Sequence, residues 1–124
     1  MTATLAPVFD ALRETILLSS EGMDVATDEP GNVVVKTRWI DGKSKEPAWF
    51  GAVQLKKNYV SYHLMPLYNL PDLKGGISSD LNKRMQGKSC FNFKKSETSL
   101  FVELGRLTGL CAAAYASAPE AKPH

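Results

Sequence analysis

A chain of 124 residues with 44% hydrophobic and 23% charged residues is long enough for one globular domain and too short for two. Its apolar runs fall well below the ~20 residues of a membrane-spanning helix, and residues 1–6 lack the regions of a signal peptide. With a net charge of +2 the composition also excludes a disordered chain, so we expect a soluble, cytoplasmic protein with no membrane partner.

The first predicted element is a helix near the N-terminus. Pro7 suits its first turn, where the N–H that proline lacks would have no partner within the helix. Glu21 and Gly22 predict its end, because glycine readily adopts the backbone conformation that follows a helix. Four apolar residues recur at helical spacing and would share one face: Leu5, Phe9, Leu12 and Ile16.

Three strands are predicted next, at residues 32–40, 48–55 and 59–65. In the first of them apolar and polar residues alternate, which is typical of a strand with one buried face. Asp41-Gly42 predicts a turn before the second strand, and Lys57-Asn58 predicts one before the third. Because strands joined by short turns lie side by side, we expect antiparallel pairing.

The second half of the chain adds two helices and a strand. A short helix is predicted at residues 79–86 with Ser78 as its N-cap, and a fourth strand at residues 88–93. A long helix then begins after Ser96 and carries an apolar stripe.

The predicted element order is therefore α-β-β-β-α-β-α. A run of strands followed by helices favours the α+β class, here an antiparallel four-stranded sheet with helices packed on one face. We expect one domain at residues 1–116 and a disordered tail at residues 117–124, which contain two prolines.

Two blocks of sequence resemble the YdhG-like family, a family of domains of unknown function. They are residues 49–61, which begin Trp49-Phe50-Gly51, and residues 88–95, which contain Cys90-Phe91-Asn92-Phe93. A helix follows in which leucines recur at Leu100, Leu104 and Leu107. The resemblance covers most of the chain and implies a small α+β domain, but it implies little about activity.

Some members of that family are called frataxin-like intracellular iron chaperones, which implies exposed carboxylates on the first helix as metal ligands. Asp10 and Glu14 lie four residues apart and would share one helical face. Carboxylate oxygens suit hard cations such as iron. The alternative is a solvated helix face with no ligand, and the sequence names no cofactor.

The two cysteines, Cys90 and Cys111, occur without a CxxC motif or nearby paired histidines, a pattern that suits neither a disulfide framework nor a zinc site. We expect both to be reduced. Cys111 falls on the apolar stripe of the last helix, whereas Cys90 is a candidate reactive thiol if Lys88, Lys94 and Lys95 converge on it.

The face of the sheet away from the helices is the predicted ligand site. If helices cover one face, strand alternation turns seven residues inward: Val33, Val35, Val60, Tyr62, Leu64, Phe91 and Phe93. The opposite, open face then carries seven others: Lys36, Arg38, Tyr59, Ser61, His63, Cys90 and Asn92. Either Trp49 or Phe50 joins them, depending on the strand register. Such a mixture of cations, aromatic rings and hydrogen-bonding groups lines many small-molecule sites, although a plain solvated face has the same composition.

We therefore expect a non-catalytic module that binds a small anion or metabolite on the open face. Lys36 and Arg38 would supply charge, Tyr59 and His63 would orient the ligand, and Trp49 would form an apolar wall. No nucleophile, base and acid form a recognisable set, so we predict no enzyme.

Three other partners can be weighed against a small anion: nucleic acid, a metal ion and a second copy of the chain. Basic pairs such as Lys56-Lys57 suggest nucleic acid, but the neighbouring aromatic residues Phe91 and Phe93 are needed in the core, so we do not expect that partner. A metal chaperone that uses Asp10 and Glu14 is one alternative function, and self-association into a homodimer is another.

Overall fold

The computed structural model describes residues 2–20, 22–40, 45, 47–69, 71–87 and 89–117. In chain order the elements are α1 (Thr2–Ser19), β1 (Asp24–Glu29), β2 (Asn32–Ile40), β3 (Pro47–Leu55), β4 (Val60–Leu64), α2 (Met65–Asn69), a 3-10 helix (Pro71–Gly76), α3 (Ser79–Asn82), β5 (Met85–Gln86), β6 (Cys90–Phe93) and α4 (Thr98–Ser117).

The strands form one antiparallel sheet in the order β1-β2-β3-β4-β6-β5. Helices α1 and α4 contact each other, and α1 lies across β3 and β4 on one face of the sheet. The predicted α+β class and antiparallel sheet are thus confirmed, but the predicted number of four strands is wrong, because the sheet has six.

The two additional strands lie at the edges of the sheet. β1 is mostly exposed and rich in acidic residues, and it pairs with β2 from Asp24 opposite Lys36 to Glu29 opposite Asn32. An edge strand is held by backbone hydrogen bonds to a single neighbour, here β2. Because these bonds do not depend on side chains, β1 can form without an alternation of apolar and polar residues in its sequence. Its carboxylates also discourage a further chain from pairing there.

The other edge strand, β5, replaces the second half of the helix predicted at residues 79–86. That helix stops at Asn82, and its predicted N-cap is confirmed by the Ser78 Oγ, which accepts a hydrogen bond from the Leu81 N–H at 3.1 Å. The chain then turns because Met85 and Gln86 pair with β6, while the Asn92 N–H donates to the Arg84 carbonyl at 2.8 Å. Long-range pairing therefore overrides a short helix of weak local preference.

The core lies between the sheet and the two long helices. All seven residues predicted to face inward are buried there, which confirms the alternation. Phe93 meets Phe101 of α4 edge to face, with ring centroids 4.9 Å apart. Burying a side chain of this size contributes about 2 kcal/mol, so these contacts hold α4 on the sheet.

The described helices include none that is both long and apolar enough to cross a membrane. Helix α4 extends to Ser117, and the remainder of the predicted tail, residues 118–124, lies outside the described residues.

Candidate functional site

The open face of the sheet carries a groove with a volume of about 300 Å³. Strands β3, β4 and β6 form its floor, while the β3–β4 turn and β5 form its ends. We call it the open-face groove, and it is lined by Trp49, Ala52, Gln54, Lys56, Tyr59, Ser61, His63, Gln86, Cys90 and Asn92.

The composition of the groove follows from the register of three neighbouring strands. Every second residue of a strand faces the same side, and antiparallel pairing brings such residues directly opposite one another. Four cross-strand pairs make up the floor: Ala52 with His63, Gln54 with Ser61, Ser61 with Asn92, and His63 with Cys90.

Six of the eight residues predicted for the ligand site line this groove: Trp49, Tyr59, Ser61, His63, Cys90 and Asn92. Of the two predicted cations, Lys36 does not line it. Lys36 is half-buried on β2 opposite Trp49, beside the groove, and the side chain of Arg38 lies outside what the structure describes. Among the described residues, the positive charge of the groove therefore comes from a residue other than Lys36.

The choice between Trp49 and Phe50 is decided by an irregularity in the sheet. The pairing of β2 with β3 shifts between Val35, which is opposite Gly51, and Lys36, which is opposite Trp49. Phe50 turns into the core and is fully buried, whereas Trp49 remains 40% exposed at the groove. Strand alternation alone cannot predict where such a bulge occurs.

Lys56 is the charged residue that the sequence prediction missed. Its ammonium group donates a hydrogen bond to the Gln54 Oε1 at 3.0 Å, and the Gln54 amide donates in turn to the Asn32 Oδ1 at 3.1 Å. The period-two spacing of Ala52, Gln54 and Lys56 would have placed all three on the open face. Gln86 was missed because it was predicted to be helical.

The closest polar contact in the groove joins His63 and Cys90. The His63 Nδ1 lies 2.8 Å from the Cys90 Sγ, with one proton between them, and the Ser89 Oγ lies 3.5 Å from the same nitrogen. Ser61, a hydroxyl residue on the same face of β4, is two residues away from His63 along the strand, which corresponds to about 6.6 Å. Cross-strand pairing therefore brings the cysteine to the histidine.

Burial keeps both members of this pair neutral. It lowers the pKa of His63 below the usual value, because the imidazolium ion loses hydration. Burial also raises the pKa of the Cys90 thiol, and this outweighs the opposite effects of the Ser89 hydroxyl and the Lys56 ammonium. Near pH 7 the pair is therefore a thiol and an imidazole. The lysines expected to activate Cys90 are not among the causes; Lys94 and Lys95 are exposed, and Lys88 lies outside the described residues.

The rest of the lining offers hydrogen-bonding groups without competing negative charge. Within the described part of the chain, no hydrogen bond engages the side chains of Tyr59, Ser61 or Asn92, and no carboxylate lines the groove. Lys56 supplies the one ammonium among the described lining residues. The arrangement suits a ligand that carries a negative charge and accepts hydrogen bonds.

The carboxylates predicted as metal ligands lie on the other side of the molecule. Asp10 and Glu14 are exposed on α1, at a second groove between α1 and α4. Arg13, between them in sequence, instead forms a two-pronged ion pair with Asp28 of β1, at 2.8 and 2.6 Å. The described residues contain no group of three or more His, Cys, Asp or Glu side chains that could hold a metal ion.

Comparison with known proteins assigns no relative to the chain. No family model, no curated protein and no solved structure matches it. Residues 49–61 form most of β3, the following turn and the start of β4, and residues 88–95 include β6. These two blocks, on which the expectation of a YdhG-like domain rests, therefore border the open-face groove, and function has to be argued from the groove itself.

Proposed function

We propose that this protein is a ligand-binding module whose open-face groove takes a small organic anion. One observation carries the proposal: among the described residues, the groove combines an ammonium group and three hydrogen-bonding side chains without described partners, and none of the described lining residues is a carboxylate. A negatively charged ligand satisfies these groups, whereas a cation would meet Lys56 and gain no counter-charge.

Each part of the lining has a role in this proposal. Lys56 attracts the charged group, and its hydrogen bond to Gln54 limits how far the ammonium moves. Ser61 and Asn92, opposite each other on β4 and β6, hydrogen-bond the ligand from below. Trp49 offers an aromatic wall, since such rings bind flat organic groups well.

The size of the groove favours a metabolite over a polymer. A volume of about 300 Å³ lies at the lower end of the range for small-molecule sites. A single aromatic ring with a carboxylate or phosphate group is of suitable size. Benzoate is therefore a reasonable first probe, with the uncharged benzamide as its isosteric control.

The test is a two-dimensional amide NMR titration of the labelled protein with benzoate, inorganic phosphate and benzamide. We expect the anions to shift amides of β3, β4 and β6 and benzamide to bind more weakly. Lys56→Gln should weaken benzoate binding by up to about fivefold, the size expected of an exposed charge pair. The matched control is Lys57→Gln, which removes an equal charge from an exposed side chain that does not line the groove.

Two outcomes would reject this function. Shifts confined to the α1–α4 side, or equal binding of benzoate and benzamide in the wild type and in Lys56→Gln, would show that the groove does not select anions. Ferrous iron in the same titration tests the metal alternative through amides near Asp10 and Glu14. A mass that rises with concentration would instead favour the homodimer alternative.

We also infer membership of the YdhG-like family from the two sequence blocks. Most of the groove-lining residues belong to these blocks, so a conserved groove is what this membership predicts for other members. An alignment of such sequences in which positions 56, 61 and 92 vary freely in charge and polarity would count against both the membership and the groove.

A further inference from the structure

The open-face groove holds a thiol beside a proton acceptor, which binding of an anion does not require. Cys90 is half-buried, lines the groove and contacts the His63 Nδ1 at 2.8 Å. The chain's other cysteine, Cys111, is fully buried in the core on α4. Only one of the two sulfur atoms is therefore within reach of a bound ligand.

We propose that Cys90 exchanges with small anionic disulfides held in the groove, with His63 as the proton acceptor. This inference rests on the proposed anion-binding function, because the groove has to hold the charged part of the disulfide next to the sulfur atom.

The step is balanced without any further reagent. The Cys90 S–H transfers its proton to the His63 Nδ1, and the Cys90 Sγ attacks one sulfur of the disulfide. A new S–S bond forms to Cys90 as the S–S bond of the ligand breaks. The departing half leaves as a thiolate and takes the proton from His63, so Cys90 is oxidised to a mixed disulfide while the departing half is reduced to a thiol.

The position of Lys56 is the reason for specifying an anionic disulfide. Its ammonium is close enough to Cys90 to act on the thiol electrostatically, and it lines the same groove. A carboxylate on the ligand that pairs with Lys56 would therefore lie near the attacking sulfur. The same positive charge stabilises the thiolate that departs.

Because the resting pair is neutral, the thiolate forms only when the proton moves to His63. A thiolate is the nucleophile in disulfide exchange, so the adjacent imidazole replaces the low pKa that reactive cysteines usually have. Cys90 is thus expected to react with a disulfide that is bound in the groove, where proton transfer to His63 can accompany the attack. Its reaction with dilute oxidants in solution is disfavoured because the resting thiol is neutral.

The experiment measures exchange with an anionic aromatic disulfide, dithiobis(nitrobenzoate), and a neutral one, dithiodipyridine. Thiol release is followed by absorbance, and the modified cysteine is located by mass spectrometry. We expect one equivalent to react at Cys90, with a preference for the anionic reagent that free cysteine lacks. Cys90→Ser should abolish the reaction and Cys111→Ser should leave it unchanged.

Variants of the two neighbouring residues separate their roles. His63→Gln should slow exchange with both reagents by more than about tenfold, because it removes the proton acceptor. Lys56→Gln should reduce only the rate with the anionic reagent, by up to about fivefold, and Lys57→Gln should change neither rate. Amide spectra establish that each variant is folded, and His63→Asn is the second variant if His63→Gln is not.

Several results would overturn the inference. They are a folded protein that does not react, modification of Cys111 at the same rate as Cys90, an unchanged rate in His63→Gln, and equal relative rates with the two reagents.

Titration of Cys90→Ser with nitrobenzoate separates failure of the thiol chemistry from failure of the proposed anion binding. Binding in the groove without exchange in the wild type rejects the thiol chemistry alone. Exchange without anion preference and without nitrobenzoate binding rejects the anion site, and with it this inference.

Discussion

The phenol oxygen of Tyr62 on β4 and the hydroxyl oxygen of Thr108 on α4 lie 2.6 Å apart in the core, where both residues are buried. The Thr108 hydroxyl donates its only proton to the Leu104 carbonyl at 2.8 Å. Tyr62 is therefore the donor in the bond between strand and helix, and burial raises the pKa of its phenol so that it keeps its proton.

This direction of donation predicts unequal effects of two substitutions. Thr108→Val leaves the buried Tyr62 hydroxyl without a partner and should lower the free energy of unfolding by about 2 kcal/mol. Tyr62→Phe leaves the Thr108 proton bonded to Leu104, so the loss should be about 1 kcal/mol. Urea unfolding measures both values, and the double variant tests their coupling. A larger loss for Tyr62→Phe than for Thr108→Val would contradict this assignment of donor and acceptor.

His63 should make stability depend on pH in a defined range. Because burial lowers its pKa in the folded protein, the unfolded chain binds a proton more readily just below the usual value of 6.5. The contribution of His63 to stability should therefore be complete well above pH 6.5 and should be lost progressively as the pH falls below that value. Urea unfolding across this range measures the slope.

The variant His63→Gln should remove most of that slope. His124→Gln, at the chain's other histidine, is the control and should retain it. Asp28 and Glu97 also have lowered pKa values in the folded protein, because each accepts hydrogen bonds from an arginine. Their effect falls at lower pH, below their ordinary values of 3.8 and 4.5. An unchanged slope in His63→Gln would show that another group is responsible.

Gly51 of β3 should not tolerate a side chain. A Cβ atom at this position would lie 2.7 Å from the His63 carbonyl oxygen and 3.1 Å from the Ile16 Cδ1 of α1. Gly51→Ala should therefore lower the free energy of unfolding by about 2 kcal/mol and shift the His63 amide signal, since the strands have to separate. Gly75→Ala is the control, because a Cβ there meets nothing within 4 Å. Equal stabilities of the two variants would show that β3 moves aside freely.

The two glycines in α4 should respond differently to alanine. Relative to alanine, each glycine weakens the helix by about 1 kcal/mol. Glycines at such positions are expected where the helix packs closely against a neighbour. A Cβ at Gly105 would lie 3.3 Å from the Ser19 Oγ of α1, whereas one at Gly109 meets nothing within 4 Å. Gly109→Ala should therefore raise the free energy of unfolding by about 1 kcal/mol, and Gly105→Ala should change it little. Equal gains would mean that Ser19 rotates away without cost.

The inner and outer faces of the central strands could be predicted from the sequence, because strand periodicity is a local property. The residues predicted to face inward, such as Val35, Tyr62 and Phe91, are all buried. The edge strands β1 and β5 could not be predicted, since their structure comes from hydrogen bonds to a neighbour rather than from a pattern of their own. The bulge that sends Phe50 inward and leaves Trp49 at the groove is also a property of two strands together.

The site shows the same division between local and long-range information. By itself the sequence determined that His63 and Cys90 share the open face, because each alternates with core residues on its own strand. Only the tertiary structure decided that they lie directly opposite each other, with Nδ1 and Sγ 2.8 Å apart. The two residues are 27 positions apart, and the register that joins β4 to β6 depends on the packing of the whole core. The period of two in a strand determines on which face of the sheet a side chain lies, but it does not determine which residue of the adjacent strand lies opposite it.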